Sequence, residues 1–240
     1  MKLSVELLMA LAKGVATYVP GLERVAGRHT GGSVSARYCY SVWLRHLTMV
    51  GAHGLLEHPR VVAELGPGDS LGTGIAALLT GAERLYAFDV VRYADPRQNL
   101  RVLDELVALL SRREPIPGED EFPEVKPRMT SWEFPRTLLD DDRLRGTLAP
   151  ARLQAIRDAL SAPEGSRTGP IRLSYFVPWT SAGVIEQGTV DLVYSQAVLE
   201  HVVDLDPTYD ALRRWLKPGG FMSHQIDFRS HGLAPEWNGH

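Results

Sequence analysis

The chain has 240 residues, 44% hydrophobic and 23% charged, with a formal net charge of -3, a composition that describes one soluble globular domain with a sizeable core. That balance gives no electrostatic case for a nucleic-acid or anionic-membrane partner. The single cysteine, Cys39, excludes an intrachain disulfide and any structural zinc site built on several thiolates, and suits a reducing cytoplasm.

Residues 1–56 read as a helical cap. An early lysine and apolar stretch look like a secretory signal, but Glu6 and Lys13 interrupt the run, which reads instead as an amphipathic helix. No apolar window approaches the about 20 residues of a membrane span. The best helix of the cap is Ala36 to Met49, with Tyr40, Trp43, Leu44 and Leu47 on one face; Tyr38, Arg45 and His46 are its side chains placed to reach a pocket.

Strand 1 is Val61 to Leu65, followed by a glycine loop and a helix from about Thr73 to Leu79; strand 2 is Arg84 to Phe88, ending at Asp89. A helix from Pro96 to Leu110 precedes the proline- and acid-rich EPIPGEDEFPEVKP. Two more helical patterns, Pro135 to Leu144 and Pro150 to Leu160, lead to strand 3 at Ile171 to Phe176. Residues 91–170 are far longer than a usual crossover and are expected to form a helical insertion or lid. Strand 4 is Thr189 to Tyr194, a helix spans Tyr209 to Leu216, KPGG turns the chain, and strand 5 is Phe221 to Asp227. Strands alternating with helices favour an α/β doubly wound sheet, one domain over 1–240 with its core in 61–90 and 171–228.

The stretch VVAELGPGDSLGTG at 61–74 ends a strand in glycines and opens into a helix. Such a loop brings backbone N–H groups and a helix N-terminus close to a ligand. The dinucleotide fingerprint fails, because Gly66 and Gly68 are followed by Leu71 where a third glycine belongs. Glu64, two residues before the first glycine, is an acid in a strand that is buried and must be hydrogen-bonded or face a cation.

These residues resemble the class I S-adenosylmethionine-dependent methyltransferases. The acid and alternate glycines of that family's first motif are Glu64, Gly66 and Gly68, with Ser70 in place of the third glycine. Asp89 stands where the family's ribose-binding acid ends strand 2; VDLVYSQAVLEHV at 190–202 and LRRWLKPGGFM at 212–222 are similar to its strand 4 and strand 5 motifs. The resemblance implies a Rossmann-like, mostly parallel sheet of order 3-2-1-4-5, S-adenosyl-L-methionine as cofactor, and a cofactor site from Glu64, Gly66, Pro67, Gly68, Ser70, Asp89, Ser195 and Gln196, with Trp179 near the adenine. Relatives add a final antiparallel strand pair, for which the thirteen residues after Asp227 have no room. The expectation is therefore a fragment or a shortened variant, and a homo-oligomer or aggregating chain.

Ligands of open sheets lie outside the carboxyl ends of the strands at the switch in strand order. His201 is the first choice for a general base, since its ordinary pKa is near neutrality, and Asp227 and His231 are expected to bind substrate. No close metal-ligand spacing links the histidines, so no metal is expected. The leading function is methylation of a small molecule or biosynthetic intermediate, at oxygen ahead of nitrogen. A nicotinamide-dependent oxidoreductase and a non-catalytic S-adenosylmethionine-binding module stay open.

Overall fold

The computed structural model describes residues 32–55, 58–162, 166, 168–179 and 181–228. Residues 31–226 form one compact unit; the other, 1–30 with 227–240, is described only at Asp227 and Phe228. Most of the expected N-terminal helical cap, and His231, therefore lie outside the described residues.

Five strands, β1 (Val61–Leu65), β2 (Arg84–Phe88), β3 (Arg172–Phe176), β4 (Val190–Gln196) and β5 (Leu216–Gln225), form one sheet in the order β3-β2-β1-β4-β5. All four pairings are parallel. Parallel neighbours require crossovers. These are α2 (Gly72–Thr80) between β1 and β2; α3 (Pro96–Arg112), α4 (Asp141–Thr147) and α5 (Pro150–Ser161) between β2 and β3; and α6 (Leu205–Trp215) between β4 and β5. Helix α1 (Ala36–Ala52) precedes the sheet. The expected KPGG turn is present inside β5 as a bulge: Val190 pairs with Leu216 and Leu192 with Phe221, so Asp191 alone faces residues 217–220.

Strand alternation divides the core in two. Val62, Leu85, Leu192 and Tyr194 face α1, α2 and α3, joining Trp43, Leu44, Leu47, Ile75 and Leu78. Ala63, Leu65, Phe88 and Val193 face α6 with Leu212 and Trp215. The Phe88 and Trp215 rings stack at 4.5 Å, a pairing worth about 1 kcal/mol beyond its buried area. Helix α2, GTGIAALLT, is apolar on every side and buried at every residue, as a helix between two layers must be.

The insertion is helical, but α4 and α5 pack against α2, and α5 also meets β3. One Arg152 nitrogen, Nη2, donates to the carbonyls of Leu78 and Ala82, at the end of α2 that leads into the amino end of β2. These two helices thus buttress the sheet at the end of α2 opposite the glycine turn. Residues 114–127 run along α1, held by backbone carbonyls that the side chains of α1 bind: Tyr40 donates to Glu114 O, Ser41 to Pro117 O, and Arg45 to Pro117, Val125 and Pro127. A buried guanidinium is tolerable only when its donors are engaged. Arg45 is therefore a fastener of the insertion, not a pocket residue.

Candidate functional site

The carboxyl ends of β1, β2 and β4 meet in register, Leu65 beside both Phe88 and Ser195. From β1 the chain enters the turn with Gly66 at φ +61° and Gly68 at φ +73°, conformations that favour glycine. Gly66 N–H donates to Phe88 O at 2.8 Å. A Cβ on Gly66 would stand 2.4 Å from Val198 Cγ2, and one on Gly74 2.5 Å from Leu85 Cδ2. The first two glycines shape the turn, and Gly74 lets α2 approach the sheet.

Glu64 is 5% exposed and shares the face of Val62, directed at α2. Its Oε2 accepts from Gly74 N–H at 3.1 Å. Burial pushes the carboxyl up to about 8, against the opposing pull of the Tyr194 hydroxyl and the Gly74 N–H. Ser70 is engaged as well: its hydroxyl donates to Ser33 O and accepts from Gly72 N–H at 3.0 Å, while its own N–H donates to Ser33 Oγ at 3.2 Å. Leu71 N–H donates to Asn99 Oδ1 at 2.9 Å. The chain's own acceptors thus occupy the N–H groups of Ser70, Leu71, Gly72 and Gly74 at the start of α2. Pro67 is buried within the turn.

Asp89 ends β2 and is 9% exposed. Its Oδ1 accepts from Val90 N–H at 2.8 Å. Burial raises its pKa, opposed by the N–H groups of Val90, Gly68 and Val91, so the carboxylate faces the glycine turn. Trp179 donates its backbone N–H to Asp89 O at 3.3 Å, and its ring lies on Phe88 and Trp215 at 5.5 and 5.4 Å. That indole extends the aromatic layer under α6.

At the end of β4, Ser195 Oγ shares a 2.8 Å hydrogen bond with His224 Nδ1 on β5, and Gln196 Nε2 donates to Gln225 Oε1. On the α1 side, His46 Nδ1 shares a 2.7 Å bond with Ser223 Oγ. Burial pushes both imidazoles down to about 4, His46 further disfavoured by His224 nearby, so both are neutral at pH 7. Their Nε2 atoms and Gln196 Oε1 are buried without a hydrogen-bond partner. His46 and His224 stand behind the ranked site residues in the sequence, because only the fold brings α1 against β5.

His201 is exposed, at the end of a 3-10 turn spanning Leu199–His201. That turn begins three residues past Gln196, where β4 ends. Asp227 follows β5, two residues past its end. Among the described residues no group of His, Cys, Asp and Glu is arranged to hold a metal, and no helix is long and apolar enough to cross a membrane.

Residues 180–223, which span β4, α6 and most of β5, match the model of a family described as a methyltransferase domain. Two solved structures are similar. One is an S-adenosylmethionine-dependent methyltransferase from Mesorhizobium loti (14% identity, TM-score 0.35, covering 76% of this chain and 53% of that one). The other is phosphoethanolamine N-methyltransferase 1 of Haemonchus contortus, in complex with phosphoethanolamine and S-adenosylhomocysteine (11% identity, TM-score 0.37, covering 94% of this chain and 33% of that one). The chain thus spans about half and a third of their lengths. No curated protein matches it.

Proposed function

We propose that this chain, a five-stranded Rossmann-like sheet in the 3-2-1-4-5 order of the class I methyltransferases with a methyltransferase-domain match over 180–223, is an S-adenosylmethionine-dependent methyltransferase acting on a small molecule. The observation that carries the reading is the amino end of α2. A dinucleotide places its pyrophosphate on the free N–H groups of that helix. Here Ser70 and Glu64 already hold two of them, those of Gly72 and Gly74, so a phosphate finds these donors taken. The ligand that suits the turn carries a ribose for Asp89 and no phosphate at α2, which favours S-adenosylmethionine over a nicotinamide dinucleotide.

When bound, the cofactor supplies an activated methyl group on a sulfonium. The chain's part is position: Gly66, Pro67 and Gly68 allow close backbone approach, Asp89 accepts from ribose hydroxyls, and Ser195 and Gln196 close the β4 side. Alignment of reacting groups lowers a barrier by several kcal/mol, on the order of 7 or more in favourable cases. Oxygen is the favoured acceptor atom, because histidines and acids crowd the carboxyl edge of β4 and β5, where a hydroxyl proton has acceptors. A hydroxyl must lose its proton, and His201 on its exposed turn receives it. Asp227 and His231 orient the acceptor. The buried, reduced Cys39 suits a cytoplasmic setting.

Calorimetric titration with S-adenosylhomocysteine, with NAD in parallel, tests this. One-to-one binding of the first alone is expected, weakened about 10- to 100-fold in D89A by loss of a charged hydrogen-bond acceptor. Binding of NAD, or no binding of S-adenosylhomocysteine by a folded, monodisperse sample, overturns the assignment.

A further inference from the structure

At the other end of α2 the chain leaves an open concavity of about 430 Å³, lined by Gly81, Asp140, Asp142, Arg143, Gly146, Thr147 and Arg152. It lies against the amino end of β2, away from the glycine turn, and no part of the methyl-transfer reading uses it.

Its lining holds two aspartates and two arginines whose side chains are not paired with each other. Asp140 Oδ1 caps α4 by accepting from Arg143 N–H at 2.7 Å, Asp142 is paired with Arg145, and neighbouring Glu83 is paired with Arg60. Asp142 and Glu83 are thus paired with arginines outside the hollow, while Asp140 is held by a backbone N–H within it. Neither Arg143 nor Arg152 forms a salt bridge among the described residues. The Arg143 guanidinium lies over Gly81 beside His58: a Cβ on Gly81 would be 3.1 Å from Arg143 Nη1 and 2.9 Å from His58 Cδ2. Burial, and after it the nearby Arg143 and Arg152, push the His58 imidazole down to about 3.

Polar atoms around the same notch are also unsatisfied. Arg152 spends Nη2 on two carbonyls, yet its Nε is buried without a partner, as are Thr147 Oγ1 and His58 Nε2. Buried polar groups almost always have partners, so these orphans, two of them on residues that line the hollow, indicate a missing one. The partner must accept from guanidinium and hydroxyl donors and carry negative charge. Planar guanidinium forks suit an oxyanion, phosphate above all.

We propose that the notch between α2, α4 and α5 is a binding site for a small phosphate-type oxyanion, held by Arg143 with Thr147 and Arg152. The hollow has room for a phosphate with a small substituent. The source is either free phosphate or a phosphorylated metabolite.

Calorimetry and thermal melts of the full chain with inorganic phosphate and with glycerol phosphate, against sodium chloride at matched ionic strength, decide the matter. Saturable one-to-one binding and a raised Tm are expected, with Kd weakened at least 10-fold in R143Q and severalfold in T147V. R143Q removes a guanidinium engaged by no side chain, and T147V keeps the shape of Thr147, so both should melt near the parent when phosphate is absent. Inorganic phosphate binding as tightly as the ester identifies the free anion; binding of the ester alone identifies a phosphorylated metabolite. Saturable binding of neither, or a Kd unchanged in both variants, overturns the site.

Discussion

The two ends of α2 carry opposite problems and solve them differently. At its amino end, N–H groups need acceptors, and the chain supplies them from within: the Glu64 carboxyl, the Ser70 hydroxyl and the Asn99 amide. At its carboxyl end, carbonyls need donors, and Arg152 supplies them with one nitrogen, leaving a second nitrogen and a neighbouring Arg143 over. Complementing the helix dipole takes only a fraction of a charge. The amino end has its donors filled, so a ligand finds few left free at the helix; the carboxyl end keeps the Arg152 Nε and the Arg143 guanidinium over, the donors that the proposed anion takes up.

The largest break in this comparison is G66A. The residue must hold φ +61°, and the added Cβ meets Val198 at 2.4 Å. Backbone strain and overpacking together cost about 2–5 kcal/mol, read as a lowered urea midpoint. At the opposite end G146A is its control: that position has nothing within 4 Å of an added Cβ and lies within α4, so the change should be neutral or slightly stabilising. Equal melts for the two variants would mean that the turn is not constrained as described.

Next in size is R152M, which removes the donor to Leu78 O and Ala82 O. Stranding partly buried carbonyls costs about 2 kcal/mol. A structural role limited to packing predicts nothing further. The charge asymmetry does: the pKa of His58, followed by NMR, should rise from about 3 toward its ordinary value as one of the two cations disappears. A His58 titration unmoved in a folded R152M would deny that Arg152 contributes to the field.

The difference between the ends also explains what was readable in advance. Strands β1 and β2 fall at the residues their apolar runs indicate, and the glycine turn lies between them, because short-range sterics decide both. The orientation of Glu64 was implicit in strand alternation, since Val62 and Glu64 share a face; its partner, the Gly74 N–H, was not. Arg45 carries no sequence signal for its role, because its acceptors are main-chain carbonyls of residues 117–127. The same holds for His46 against Ser223, 177 residues apart. At the carboxyl end of α2, Arg143 and Arg152 look like ordinary charges on amphipathic helices, and only the packing of α4 and α5 gathers them around Gly81.

The remaining test is on the amino end, from E64Q, and its size is set by pH. Burial raises the Glu64 carboxyl from 4.5 to about 8, so between these values the folded chain holds a proton that the unfolded chain has released. An acid raised in this way contributes stability that is fully present below pH 4.5 and declines as pH rises toward 8, by at most about 1.4 kcal/mol per pH unit. The buried histidines run the other way. His46 and His224 are lowered from 6.5 to about 4, and His58 to about 3, so their cost appears as pH falls below 6.5, where only the unfolded chain takes up protons. The parent should therefore be most stable near pH 6.5 and lose stability on both sides. Glutamine keeps an acceptor for Gly74 N–H without a proton to lose, so E64Q should match the parent at pH 5 and exceed it at pH 8, with the acid limb intact. Parallel stability curves from pH 5 to 8 would place the carboxyl in a more hydrated setting than the buried one it has beside Gly74.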